Sequence, residues 1–538
     1  MNKNFVSYAD FGAFGDGKHN DFFAIKKAHE YANINNLPVI AGKPGDVFLI
    51  TETEKEGYAE SIKIRTYTDF GGATVIIDDT DVCWHEGRNK THNTPVFEIA
   101  PDTPYIKLEK KYIDKINEAG GITNSTRKID TGLDFPAMLV IYDENSRVFI
   151  RYGNNANQGS PKMELIEVDE NGNISPDTPL LFEYENVTCI EAYRLDERSI
   201  TVHNGIFISK ASRVNLIDQY HTISRGIKLS RSNTLVKDLY HKIENEIFKG
   251  ELVDGVPFIG HSYGDFISLY CASNVLIENV TFQARAYYLQ GTYDFGGYMS
   301  NKVLVKNCDQ SNFFAGDDPR YPLKPAFGKW WGVAGTNFCK NLTYDGTRLT
   351  RFDAHEGLVN GKIINSTVTD IRLTGAGEML IENTKIYCDA NTTLQLREDY
   401  GSTWRGTLTV KDTEFIDTME RQCAFMMSFS SNHNYGYKTY FPNLVIDNVK
   451  LDEKFKEIPL LYEFEMKTNS LGYFYRSVRD ENIAVEGAIC ADGKPNVNPY
   501  QPPEFIKVIN NEQNGYELIV PDVPFFKDTV IEGAKKVK

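Results

Sequence analysis

From about residue 200 onward, one short pattern recurs along the chain. Apolar and polar positions alternate, run into an Asn or Asp, and resume with another β-former. It reads VNLID at Asp218, TLVKD at Asp238, VLIEN at Asn279, VLVKN at Asn307 and FCKN at Asn341. It continues as KIIN at Asn365, LIEN at Asn383, LTVKD at Asp412 and LVIDN at Asn448. Alternation with a period of two marks half-buried strands. Anchors 18 to 41 residues apart mark single coils of a solenoid, with loops inserted on some of them. Asn and Asp suit the bend after each strand, because both tolerate left-handed backbone and bond to their own main chain. One such coil cannot bury its apolar face alone, so the pattern predicts a parallel β-solenoid held by stacking, with the anchors Asn279, Asn307, Asn341, Asn365 and Asn383 aligned at one corner. A β-sandwich with Asn-containing turns is the rival, and it gives no reason for nine recurrences at coil-like spacing.

Residues 8–28, YADFGAFGDGKHNDFFAIKKA, carry the most specific signal. Asp10, Phe11, Gly12, Ala13, Gly15, Asp16, Gly17 and Asp21 match a DFGAxGDGxxxD strand-and-turn that leads into a helix. This segment resembles the N-terminal signature of right-handed parallel β-helix proteins of the pectate-lyase-like superfamily, which includes polygalacturonase-like glycoside hydrolases, polysaccharide lyases and phage tailspikes. Asn20 and Asp21 stand at the expected helix N-cap, and Phe22, Ile25, Ala28 and Tyr31 supply an apolar stripe for a helix that covers the open end of the solenoid. Asp16 and Asp21 read as turn and cap residues rather than catalytic ones.

The resemblance and the periodicity together predict an all-β chain: a right-handed, single-stranded parallel β-helix with an N-terminal capping helix and an inserted antiparallel β subdomain. The expected segments are a cap and first coils over 1–100, the insertion over 101–195, the main β-helix with its catalytic face over 196–495, and a C-terminal extension over 496–538, after the Pro-rich PNVNPYQPPEF. In the insertion, AMLVIYDENSRVFIRYG predicts two strands across a DENS turn, and MELIEVDENGNISP a further strand and an Asn-Gly turn.

Charge and composition narrow the partners. A net charge of −16 argues against nucleic acid as the main partner. The eight cysteines form no CxxC pair, which disfavours a zinc ribbon or thioredoxin-type centre and leaves them as small buried apolar residues. No stretch approaches ~18 consecutive apolar residues, so no membrane span is expected. The N-terminus shows no signal-peptide pattern, so the expected location is cytoplasmic, or secreted with a signal peptide outside this sequence.

In a parallel solenoid, outward side chains on successive coils stack about 4.8 Å apart, so one site can be assembled from several coils. Taken in phase after each anchor, the outward column reads Gln290 and Asp294, then Trp330, then Arg351, Asp353 and His355, then Arg372, then Gln395 and Arg397. Asp353 is the strongest catalytic candidate: strict alternation turns Phe352 and Ala354 inward, and a carboxylate beside Arg is held ionised, as a base requires. Asp317 and Asp318 form an adjacent acidic pair in a Gly-flanked loop, which looks similar to the neighbouring aspartates of polygalacturonases. The Asn-Thr-Asp and Arg-Ile-Lys motifs of those enzymes are not recognisable. Glu356 and Glu398 adjoin the column, and Trp330, Trp404 and Tyr293 offer rings on which a sugar face could stack.

The resemblance therefore implies a glycoside hydrolase acting on a polysaccharide or oligosaccharide. Asp353 and Asp294 would be the acid/base pair of an inverting mechanism, Asp317 or Asp318 a third carboxylate, and His355, Arg351 and Arg397 positioning groups. No cofactor is expected in that case. One alternative is a polysaccharide lyase, with His355, Arg372 and Arg397 at the reacting carbon and Ca²⁺ on Asp317 and Asp318. A second is a non-catalytic, tailspike-like carbohydrate-binding solenoid, for which a homo-oligomer is expected. The expected partner throughout is a carbohydrate.

Overall fold

A computed structural model describes residues 4–55, 58–82, 93–148, 160–214, 222–247, 250–258, 262–283, 293–313, 333–388, 394–397, 403–417, 440–451, 501–510, 519–522 and 526–537. The chain folds as two compact units. One comprises residues 1–104, 195–334 and 347–350; the other comprises 105–194, 335–346 and 351–538.

In the first unit the long strands Ile200–Lys210, Thr234–Glu244, Ser273–Glu278 and Asn301–Lys306 pair in parallel, each with the next. A second ladder joins Ile62–Ile64, Phe97–Ile99, Ile227–Leu229, Ile267–Tyr270 and Phe295–Tyr298, again all parallel. Each coil thus gives one strand to each ladder, and the buried rows Ile62/Phe97/Ile227/Ile267/Phe295 and Val202/Val236/Ile277/Val305 fill the space between them. That arrangement is a parallel β-helix, and its hand is the right-handed one that parallel crossovers take.

The superfamily-like N-terminal segment closes on itself. Asp21 is the N-cap residue of helix Phe22–Asn35, but its carboxylate does not bond the helix. It accepts the backbone N–H of Phe14 at 2.7 Å and of Gly15 at 3.2 Å, so it fixes the turn of the signature. Asp16 likewise accepts the N–H groups of Lys18 and His19, which lowers its carboxyl to about 2. Ile25, Ala28, His29 and Ala32 form the buried stripe of the helix. Tyr31, expected in that stripe, is exposed.

The second unit repeats the architecture. Lys340–Asp345, Leu358–Ile364, Gly375–Glu382, Trp404–Lys411, Asn443–Asp447, Phe505–Ile509 and Val530–Glu532 form a parallel ladder. Strand pairing therefore continues beyond the Pro-rich segment at 495–505. Arg351–Glu356, Asp370–Leu373 and Leu394–Leu396 form a second parallel ladder.

The insertion belongs to this unit. Its sheet runs in the order Ile106–Lys107, Cys189–Arg194, Ala137–Val148, Ser160–Val168, and every pairing is antiparallel. Leu139, Ile141, Ile166, Ile190 and Ala192 pack under helix Lys110–Glu118 through Ile113 and Ile116. The DENS segment is not the turn that its composition predicts. It is a bulge within one continuous strand, where Asp143 accepts the Asn145 N–H and the Ser146 hydroxyl and so satisfies the extra residues. In the coils of the same unit, Lys340 is buried and paired with Glu164 of the insertion at 3.0 Å. Asn341 donates to the Asp177 carbonyl at 2.7 Å, and Ser160 donates to Glu356 at 2.8 Å. In the first unit, the residues flanking the excursion are stapled together: Arg231, fully buried, lies 2.8 Å from Asp102 and 3.0 Å from Asp196.

The corner residues divide into two columns instead of one. Asn279, Asn307, Asn365, Asn383 and Asn448 all have positive φ, as do Asp238 and Asp412. Asn279 donates to Asp238 at 3.2 Å, Asn383 to Asn365 at 2.8 Å and Asn448 to Asp412 at 2.6 Å. Asn341 is the exception to the predicted alignment. It opens its strand and belongs with Asn360, which donates to it at 3.1 Å, while Gly346, at φ 63°, takes the strand-end corner on that coil. Asp218 lies outside the described residues. We expect Asn365→Ala to cost about 2 kcal/mol, from the left-handed backbone penalty and a lost ladder hydrogen bond. Asn365→Gly should cost less, since glycine takes positive φ freely. The shift in the urea midpoint checks this, and equal midpoints for the two variants would contradict it.

Candidate functional site

Three coils of the second unit build one charged cluster. The register sets Arg351 opposite Asp370 and Asp353 opposite Arg372, with Gln395 next in that row. Phe352, Ile371 and Leu394 fill the core row between, as the alternation predicts. The outward residues are nevertheless not open to solvent: Arg351 is 4% exposed, Asp353 1% and Arg397 5%. A carboxylate so buried persists only with partners. Arg397 Nη1 donates to both oxygens of Asp353, at 2.8 and 2.7 Å, and Arg351 Nη2 lies 2.5 Å from Oδ2. Burial by itself would raise the Asp353 carboxyl. The charges of Arg351 and Arg397, followed by His355 and Arg372, outweigh burial and hold it well below the usual carboxylate range.

The cluster opens on one side. His355 and Arg372 are half-buried. Arg372 Nε is 2.8 Å from Asp370 Oδ2, and that carboxylate raises the Arg372 guanidinium further. Asp370 Oδ1 is buried with no hydrogen-bond partner. His355 Nδ1 sits 3.4 Å from Arg397 Nη1, which has only protons to offer. The same Nδ1 lies 3.9 Å from Asp353 Oδ2. Three guanidinium groups thus face two carboxylates, with the His355 ring at the edge. The set is suited to hold a further anion. Among the described residues no group of acidic, His and Cys side chains has the arrangement of a metal site.

The remaining expected residues separate from this cluster. Asp294 falls in the first unit, 1% exposed, where the Gln310 amide donates to its Oδ2 at 3.2 Å. Gln310 in turn accepts the Thr350 N–H at 3.0 Å, so Asp294 is part of a buried corner network, not an outward group. Tyr293, beside it, is half-buried and donates its N–H to the Tyr263 carbonyl. Trp404 was expected on the outer strip but is fully buried: its indole N–H donates to Gly377 O at 3.0 Å, which satisfies the one polar atom of an otherwise apolar ring. Glu356 accepts the Ser160 hydroxyl. Gln290, Asp317, Asp318, Trp330 and Glu398 lie outside the described residues.

One carboxyl that the alternation does not single out stands apart electrostatically. Asp265, in the first unit just before strand Ile267–Tyr270, has an Oδ1 that is shut off from solvent without a hydrogen-bond partner. Burial raises its carboxyl to about 7. Only the Gly-Asp-Phe step preceding an apolar strand hints at it in the sequence.

No family model matches the chain, and no curated protein matches it in sequence. Among solved structures, the tailspike gp49 of Pseudomonas phage LKA1 aligns with 94% of this chain and 80% of its own, at 10% identity and a TM-score of 0.46. The gp54 tailspike of Acinetobacter baumannii bacteriophage AP22, solved with a capsular saccharide, aligns over 98% and 79%, at 8% identity and a TM-score of 0.45. Likeness at that level leaves the fold resting on this chain's own parallel ladders. That fold is a parallel β-helix.

Replacing Asp353 by Asn removes the carboxylate that the buried Arg351 and Arg397 share and leaves Arg351 the longer contact to Asp370 at 3.7 Å; we expect a loss of about 3 kcal/mol. The carboxyl is depressed below its ordinary 3.8, so its contribution is complete above about pH 4 and declines as the pH falls toward its folded value. Urea unfolding of both proteins between pH 7 and pH 3 checks this. The deficit of Asp353→Asn should narrow on acidification, and a deficit that widens would refute the ion-pair account.

Proposed function

We propose that the protein binds and cleaves an acidic polysaccharide. The observation that supports this reading is the excess of guanidinium charge around Asp353, half-open at Arg372 and His355. A sugar carboxylate placed there would meet Arg372 and the His355 ring. Arg is the residue suited to such planar, two-point recognition of a carboxylate. In this role Asp353 is a fixed counter-ion that aims Arg397 and Arg351, rather than a group that exchanges protons.

For the cleavage step the reading is glycoside hydrolysis. In it a carboxylic acid gives its proton to the departing glycosidic oxygen while water, activated by a second carboxylate, adds to the anomeric carbon. A second reading, β-elimination, is favoured by the arginine excess itself. Guanidiniums on a uronate carboxylate acidify the adjacent C–H; a base removes that proton, a C=C bond forms, and the C–O bond to the leaving sugar breaks.

A panel of acidic and neutral polysaccharides, followed by both new reducing ends and ultraviolet absorbance, separates these readings. Hydrolysis yields reducing ends without absorbance, and elimination yields both. Cleavage confined to neutral polymers would reject the acidic-sugar reading. We expect Arg372→Ala to raise KM on the acidic polymer about tenfold or more, the scale of one charge-assisted bond, with a smaller change in kcat.

A further inference from the structure

The second unit contains a cleft of about 810 Å³ between the inserted sheet and the coils that it docks on. Its insertion wall includes Lys162, Glu183, Glu185 and Asn186, and its coil wall includes Arg405 and Tyr440. The volume lies in the range of small-ligand sites, roughly 300–1,000 Å³. The walls are held rigidly. Arg405 donates to the Leu181 carbonyl at 3.2 Å, Lys162 donates to the Glu183 carbonyl, and the Tyr440 N–H donates to Thr403 Oγ1 at 2.9 Å. These bonds fix the segment that presents Glu183, Glu185 and Asn186. All three are exposed, and none has a side-chain hydrogen bond among the described residues.

The chemistry of this lining differs from that of the arginine cluster. Asp143, Glu183 and Glu185 outnumber Lys162 and Arg405, so a second sugar carboxylate would be disfavoured there. Carboxylate, amide and guanidinium groups in one cleft offer both acceptors and donors to hydroxyls. Leu181, Phe182 and Tyr440 add an apolar side that suits the C–H face of a pyranose ring. The two places are also linked along the chain. Gly375, on the cleft, follows the strand that bears Arg372, and Glu356, next to His355, is bonded by Ser160, which begins the strand of Lys162.

We infer that this cleft is a second saccharide site, selective for neutral sugar residues, and that the substrate is a heteropolysaccharide carrying acidic and neutral sugars in one chain. The second half of the inference rests on the acidic-sugar reading above; the existence of the neutral site does not.

The test is calorimetric titration of the full chain with neutral tetrasaccharides of glucose, galactose, mannose and N-acetylglucosamine. At least one should bind the wild type. The exposed pair Glu183→Ala/Glu185→Ala should weaken it about tenfold or more, the scale of one or two charge-assisted hydrogen bonds. Arg372→Ala should leave this binding unchanged, and the Glu183/Glu185 variant should still cleave any polymer composed only of acidic sugars that the wild type cleaves. No binding of any of the four at millimolar concentration, or equal binding by wild type and the Glu183/Glu185 variant, overturns the site. Neutral binding that is lost in Arg372→Ala instead assigns the saccharide to the arginine cluster and also overturns it. If neutral binding follows the prediction while no acidic polymer is cleaved, the neutral site stands and the acidic-sugar reading fails.

Discussion

Parallel pairing of one coil on the next is the constraint from which the rest of this protein follows. A short strand in such a stack has its backbone groups satisfied by the coils on either side, and its apolar side chains are covered only when those neighbours are present. The chain must then turn sharply at fixed intervals. Positive-φ residues at the strand ends, from Asp238 to Asn448, make those turns, and their side chains bond along the stack. Where the corner carries no Asn or Asp, as at Gly346, glycine supplies the same backbone without the side-chain bond.

The same geometry concentrates charge. Coils repeat in register, so a single ionisable residue on each of three strands produces a column of close neighbours. In the second unit the column mixes signs and is largely covered, and Arg351 and Arg397 hold Asp353 between them. A carboxylate held this firmly is a poor proton acceptor, since its affinity for a proton is lowered by the very groups that make its burial tolerable. Its use lies in positioning. The half-open members, His355 and Arg372, are the ones with access to a ligand. Asp265 illustrates the opposite case: burial without a compensating charge raises its carboxyl to about 7.

The insertion shows how a solenoid acquires a second surface without disturbing its coils. It has its own core, built on Leu139, Ile141, Ile166 and Ile190, and within its unit it is tied down by the buried Lys340–Glu164 pair. A buried lysine is costly in isolation and acceptable beside a carboxylate. The cleft lies between the inserted sheet and the coils, so its lining draws on residues more than two hundred positions apart, such as Lys162 and Arg405.

The sequence by itself determined the coil periodicity, the corner residues, the capping helix and the antiparallel nature of the insertion. These follow from local rules: period-two alternation, the left-handed tolerance of Asn and Asp, and N-terminal helix signals. It also placed Arg351, Asp353, His355, Arg372 and Arg397 in one group, because register in a parallel stack converts sequence phase into spatial proximity. What alternation could not give was depth. It distinguishes inward from outward on a strand, yet not whether the outward face is covered, so Asp353 emerged as a locked ion pair and Trp404 as core. Nor could it separate Asn341 from the other corners, since strand starts and strand ends both accept Asn at positive φ. The bulge at Asp143 and the raised carboxyl of Asp265 were decided by tertiary structure alone. The first depends on the strands that pair on either side of Asp143 and the second on burial of the carboxyl, and neither is written in the local sequence.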